Sequence, residues 1–259
     1  MLQENFTISW SFRNRIDIFK ESITSADRTC PKGVDFNLID ASSTEDTIRE
    51  LREFCNSIKD RTIRICESTY RTNLSESWNL GMMLTKNRYV IFASSDTIFL
   101  KPGWFEALKG SATAGGEYVL MVNHSLFCID KKCIPTLGWF DEEFKPGPHF
   151  DVDYMIRASE NNIQFRNIPN NGYYFHEDDI ETTKKRLIGE VTDRLPMHDF
   201  TNEDIFKNKW RTDWVGWQPA ISSGATALPH PPTNISQVER KIAEIDAHPL
   251  YTKKYKDLV

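Results

Sequence analysis

The feature that most restricts the fold is an alternation along the first hundred residues: a short β-prone run, a polar turn, then apolar residues at helical spacing. Phe6 to Phe12 is the first run. It passes into Arg13-Asn14-Arg15, after which Ile16, Phe19 and Ile23 recur three and four residues apart, predicting strand then helix. Val34 to Ile39 in VDFNLIDASSTED is the second, with Asp40 at its carboxyl end. Ser42 and Glu45 have the spacing of a capping box, and Ile48, Leu51, Cys55 and Ile58 form the stripe of the helix that would follow. Thr62 to Ile65 predicts a third strand, residues around Ser77 to Thr85 a helix, and Tyr89 to Ala93 a fourth strand. Such alternation implies a largely parallel sheet covered on both faces. Ligands of these sheets bind beyond the carboxyl ends of the strands, where the strand order reverses. Here those positions hold Arg13, Asp40 and Ser94-Ser95-Asp96.

The second half changes texture. Tyr118 to Phe127 reads as one or two strands, GWFDEEFKPGPHFDVDYMIRASENN mixes aromatics, a Pro-Gly-Pro turn and a helix, and Gly172 to Phe175 is short and aromatic before His176. Beyond about residue 180 the chain is more polar, with Trp210, Trp214 and Trp217 close in sequence and a last apolar stripe at Val238, Ile242 and Ile245. The division expected is a main domain over 1–180 and an extension over 181–259 packed on it.

A formal charge of -5 and no long basic cluster argue against nucleic acid as the partner. No apolar run is long enough to span a membrane, and MLQENFTISW lacks the pattern of an export signal, so the expectation is a cytoplasmic protein. Five scattered cysteines suit free thiols better than a disulfide framework, and Cys128 and Cys133 lack the companions of a zinc site.

Two nucleotide-binding designs are excluded. The turn after the first strand, SFRNR, has no glycine to let backbone approach a pyrophosphate, and no Walker-type phosphate loop occurs. In their place VIFASSDTIFLKPGW ends a buried strand in two hydroxyls and a carboxylate. Asp96 could hold a hard divalent cation bridging phosphate oxygens, or serve as a turn residue bonded to nearby backbone. The stretch by itself leaves both open.

Taken in order, the segments TISWSFRNRID, NLIDASS, SWNLGMML, FASSDTIFLKPGW and GWFDEEFKPGPHFDVDYMIRASENN resemble those of inverting nucleotide-sugar glycosyltransferases of the family 2 type. The resemblance spans roughly residues 6 to 180 and implies the GT-A fold, an α/β architecture with a mixed, mainly parallel sheet flanked by helices. It further implies sugar transfer from a nucleoside-diphosphate sugar to the hydroxyl of a glycan or other acceptor, assisted by Mn²⁺ or Mg²⁺. Donor-binding residues would be Ser11, Arg13, Asp40 (to the base), Asn79, Ser94, Ser95 and Asp96, with Asp96 and His176 holding the metal. Asp151 would be the general base, Asp153 its alternative or a partner of Arg157, and Trp139 an acceptor contact. Two positions depart from the pattern: Ser94 stands first in the D-x-D signature, and Phe150 replaces the acid often found before the base. Loss of the first acid also keeps open a catalytically inactive carbohydrate- or nucleotide-binding module on the same scaffold.

Overall fold

The computed structural model describes residues 6–68, 70, 72–113, 118–122, 126–144, 150–167, 174–176, 205–206 and 209–210. The predicted alternation is realised as β1 (Phe6–Phe12), α1 (Ile16–Thr29), β2 (Asp35–Asp40), α2 (Glu45–Ser57), β3 (Ile63–Glu67), α3 (Leu74–Leu84) and β4 (Tyr89–Ser94). After a two-residue turn come β5 (Thr97–Phe99), α4 (Trp104–Thr113), β6 (Tyr118–Val122), β7 (Leu126–Asp130), α5 (Ile134–Leu137), α6 (Phe150–Glu160), β8 (Gln164–Asn167) and β9 (Tyr174–His176). Seven strands form one sheet in the order β3-β2-β1-β4-β7-β6-β8, and β5 pairs with β9 in a separate ribbon. The β3-β2-β1-β4 half is parallel, and β7 runs antiparallel to both neighbours. The sheet is therefore mixed and mainly parallel, as expected.

Successive side chains of a strand alternate between faces, and the core divides accordingly. Tyr89, Ile91 and Ala93 of β4 join a cluster with β1, α1 and α2, whereas Val90 and Phe92 join one with Trp78 and Met82 of α3, β7, α5 and α6. Phe206 and Trp210 are buried in the second cluster. Gly81 explains how α3 approaches so closely: an added Cβ there would lie 2.3 Å from Ser9 Oγ of β1.

Helix starts differ from expectation in two places. The cap of α2 is Thr44, whose hydroxyl accepts from Thr47 N, while Ser42 sits in a left-handed turn at φ 70°. A capping box does occur, but at α3, where Asn73 Oδ1 accepts from Glu76 N (2.8 Å) and Glu76 accepts from Asn73 N (2.6 Å). All five cysteines are free thiols. Among the described residues no helix is long and apolar enough to cross a membrane. Trp214, Trp217 and the stripe from Val238 lie outside the described residues.

Candidate active site

β2 and β3 lie to one side of β1 and β4 to the other, so the strand order reverses between β1 and β4. That is the position at which an open α/β sheet forms its crevice. At the carboxyl end of this pair Ser11 is in register with Ser94, and Phe12 with Asp40. Ser11, Arg13, Ser94 and Ser95 are each partly exposed. The edge thus carries three serines and an arginine, each partly exposed, above a buried sheet.

The loops after β1 and β2 are tied into one unit. Asn14 N donates to Ser43 Oγ (2.8 Å), Thr44 N to Asn14 Oδ1 (3.2 Å), and Arg13 Nε to the Ser42 carbonyl (3.4 Å). Asn14, Arg15 and Ser42 all hold positive φ. Left-handed backbone at non-glycine residues is disfavoured, and its concentration at one sheet edge is typical of functional sites. Asp40 is 2% exposed, and its Oδ1 accepts from Ser43 N at 2.9 Å. Burial pushes its carboxyl above the ordinary range. Hydrogen bonds from Ser43 and Ser42 oppose that rise, and the neighbouring Glu67 adds to it.

Asp96 occupies the turn between β4 and β5 and is also nearly enclosed. The Arg15 guanidinium lies 3.6 Å from its Oδ2. Across the ribbon Thr97 is in register with His176, so β9 brings that histidine beside the Asp96 turn. The two hydroxyls and the carboxylate that end the buried strand therefore mark the point where the chain leaves the main sheet for the ribbon.

β8 is parallel to β6, and α6 immediately precedes β8, so α6 runs back across the sheet with its first turn at the same edge. Asp151 stands in that turn, partly exposed, with Oδ1 accepting from Val152 N at 2.9 Å. Phe150 is core: Trp78 meets it edge-on (5.0 Å) and stacks flat on Phe92 of β4 (4.5 Å, 5°). An aromatic at 150 thus links the start of α6 to the strand leading to Asp96.

Asp153 has a different setting. It is fully buried, Oδ2 accepts from Arg157 Nε (3.0 Å) and Nη2 (2.8 Å), and Oδ1 faces Trp210 Nε1 (2.8 Å) and Lys209 Nζ (2.8 Å). Burial alone would raise its pKa. The charges of Arg157 and Lys209 and hydrogen bonds from Lys209 and Trp210 outweigh that and hold it below the usual carboxylate range. Arg157 Nη1 also donates to the carbonyls of Leu137 (2.5 Å) and Trp139 (2.7 Å). Asn79 is buried and grips the same segment, donating to the Phe140 carbonyl (3.0 Å) and Glu142 Oε1 (2.7 Å) and accepting from Phe140 N (2.9 Å). Its amide is thereby occupied in holding residues 140–142 against α3. Trp139 is partly exposed, packed on the aromatic cluster. The parts that sequence reading missed are Lys209 and Trp210, remote in the chain and without a local pattern to announce them.

Against this geometry, the profile of glycosyl transferase family 2 matches residues 10–168, more than half of the chain. The chain belongs to that family. Among solved structures it is similar to the mannosyltransferase PcManGT from Pyrobaculum calidifontis in complex with GDP-Man and Mn²⁺ (TM-score 0.54, 12% identity, 98% of this chain and 84% of that one). It is also similar to S. aureus TarS (TM-score 0.56, 15% identity, 79% and 42%) and to GalNAc-T7 with UDP, GalNAc and Mn²⁺ (TM-score 0.58, 11% identity, 85% and 58%). No curated protein matches by sequence. The family match makes the protein a glycosyltransferase, and these neighbours share its GT-A fold.

Proposed function

We propose that the protein transfers a sugar, with inversion and with a divalent metal, from a nucleoside-diphosphate sugar to a hydroxyl of a glycan or similar acceptor. The observation that carries this reading is the convergence of Asp40, Asp96 and the Asp151 turn of α6 on one sheet edge, at the reversal of strand order. Two of the solved neighbours contain Mn²⁺ with GDP-Man or with UDP and GalNAc, which supports a similar donor and ion here.

Among the described residues no three His, Cys, Asp or Glu side chains form a metal cluster. One carboxylate with a histidine opposite in the ribbon suits a hard ion that completes its shell with diphosphate oxygens and water. Asp96 and His176 would hold it, and it would supply Lewis-acid stabilisation of the departing diphosphate. Arg13 and Arg15 lie on the same edge, where a guanidinium can pair with phosphate oxygens. Ser11, Ser94 and Ser95 offer hydroxyls to the ribose and diphosphate. Asp40 accepts a hydrogen bond from the base, and Asn79 acts through the 140–142 segment it fixes. Asp151 is the better choice than Asp153 for the general base. It is partly exposed, whereas both oxygens of Asp153 are committed to interior cations. In this reading the Asp151 carboxylate takes the acceptor's hydroxyl proton as the oxygen bonds to the anomeric carbon from the side opposite the diphosphate. Trp139 flanks that acceptor.

The test is release of nucleoside diphosphate from a panel of UDP- and GDP-sugars with Mn²⁺ or with EDTA. Expected are turnover in Mn²⁺, none in EDTA, and a loss of about 10²- to 10⁴-fold in Asp151→Asn. No release from any donor that demonstrably binds would favour the inactive binding module.

A further inference from the structure

We propose that Lys209 and Trp210, from the extension, are positioning residues for the acceptor base; this rests on the assignment of that role to Asp151. Asp153 follows Asp151 by two residues in the same first turn of α6. Its Oδ2 is already served within the helix by Arg157, four residues on. That local pair orients the carboxylate along α6, and Arg157 Nη1 ties the helix to the carbonyls of Leu137 and Trp139, but neither contact links α6 to the later part of the chain. The donors on Oδ1 do so, because they come from a segment 57 residues away.

Lys209 Nζ reaches both Asp153 Oδ1 (2.8 Å) and Asp141 Oδ2 (2.6 Å). One ammonium therefore bridges the first turn of α6 to the segment that Asn79 clamps onto α3. Asp153 is 0% exposed and Trp210 5%, so water does not compete for the bond between them, while the Lys209 side chain, 31% exposed, reaches the same carboxylate from the surface. The Trp210 ring sits among the aromatics of the core, which leaves its indole N–H as a strut and not as a surface for a sugar. A base must sit within hydrogen-bond reach of its proton, and a misplacement of about 1 Å costs roughly 10²-fold in rate.

The full chain is compared as wild type, Lys209→Met, Lys209→Arg, Trp210→Phe and Asp151→Asn. Two readouts are used: steady-state diphosphate release from UDP- and GDP-sugars in Mn²⁺ with water as acceptor, and amide hydrogen exchange of residues 150–153. Lys209→Met should lower kcat by about tenfold or more with donor KM changed by no more than about twofold, and speed exchange at 150–153. Lys209→Arg should restore most of kcat. Trp210→Phe, which keeps the ring, should cost about fivefold, the worth of one hydrogen bond. It carries the test if Lys209→Met fails to fold.

Wild-type kcat and exchange in Lys209→Met and Trp210→Phe, or a kcat loss matched by a rise in donor KM and not restored by arginine, would overturn the proposal. An inactive Asp151→Asn beside a fully active Lys209→Met removes the positioning role alone. A fully active Asp151→Asn removes the base assignment, and the positioning role with it.

Discussion

Asp153→Ala isolates the interior charge cluster that anchors α6. The substitution leaves the Arg157 guanidinium, 4% exposed, facing an empty site, and removes one of two carboxylates from Lys209. Breaking one partner of a buried ion pair costs about 3–5 kcal/mol, because the remaining charge stays desolvated. At roughly 2–4 °C per kcal/mol for a chain of this size, the midpoint should fall by about 6–20 °C. Asp141→Ala is the internal control: its carboxylate is 20% exposed, so the loss should be no more than about 1 kcal/mol. The pH dependence gives a second signature. Asp153 has a folded pKa below its unfolded value of about 3.9, so its contribution is present above that pH and is lost as pH falls through the folded pKa. The gap between wild type and Asp153→Ala in denaturant titrations should therefore be constant near neutrality and narrow only below about pH 4. A midpoint for Asp153→Ala within about 2 °C of wild type would refute the buried cluster as drawn.

Gly81→Ala forces a methyl to 2.3 Å from Ser9 Oγ and 3.1 Å from a Phe92 ring carbon, so chemical denaturation should show a loss of about 1–3 kcal/mol. Full stability in that variant would contradict the close α3–β1 approach. Burial raises the Asp40 pKa, so on acidification donor affinity measured by calorimetry should begin to weaken at a higher pH than an ordinary carboxylate would give. Asp40→Asn should flatten that dependence, and an unchanged profile would remove Asp40 from the base-binding role.

The sheet and the placement of its carboxyl ends were legible because both depend on local pattern. Buried parallel strands read as short apolar runs, and helices α1 and α2 announced themselves by spacing. The errors came where two signals competed over a few residues. Ser42 and Glu45 have the right spacing for a capping box, but Ser42 is drawn into a left-handed turn by the loop tied to Asn14 and Arg13, leaving Thr44 to cap. Asn73 and Glu76 have the same three-residue spacing, and their box starts α3 at Leu74, three residues before the Ser77 expected from the pattern. The family resemblance assigns the Asn79 amide to the donor site, and its tertiary contacts carry no local signal. Only the fold reveals that Phe140 and Glu142, more than sixty residues on, occupy it. The contacts of Lys209 and Trp210 with Asp153 are unreadable for the same reason: a contact across 57 residues leaves no periodic trace.

The most direct measurement is calorimetric titration of a nucleotide-sugar donor with Mn²⁺ and with EDTA, into wild type, Asp96→Ala and Asp151→Asn. The account predicts Mn²⁺-dependent binding in wild type and Asp151→Asn with similar affinity, and loss of the Mn²⁺ enhancement in Asp96→Ala. Equal Mn²⁺ enhancement in all three would contradict it, since the ion would then be held by something other than Asp96.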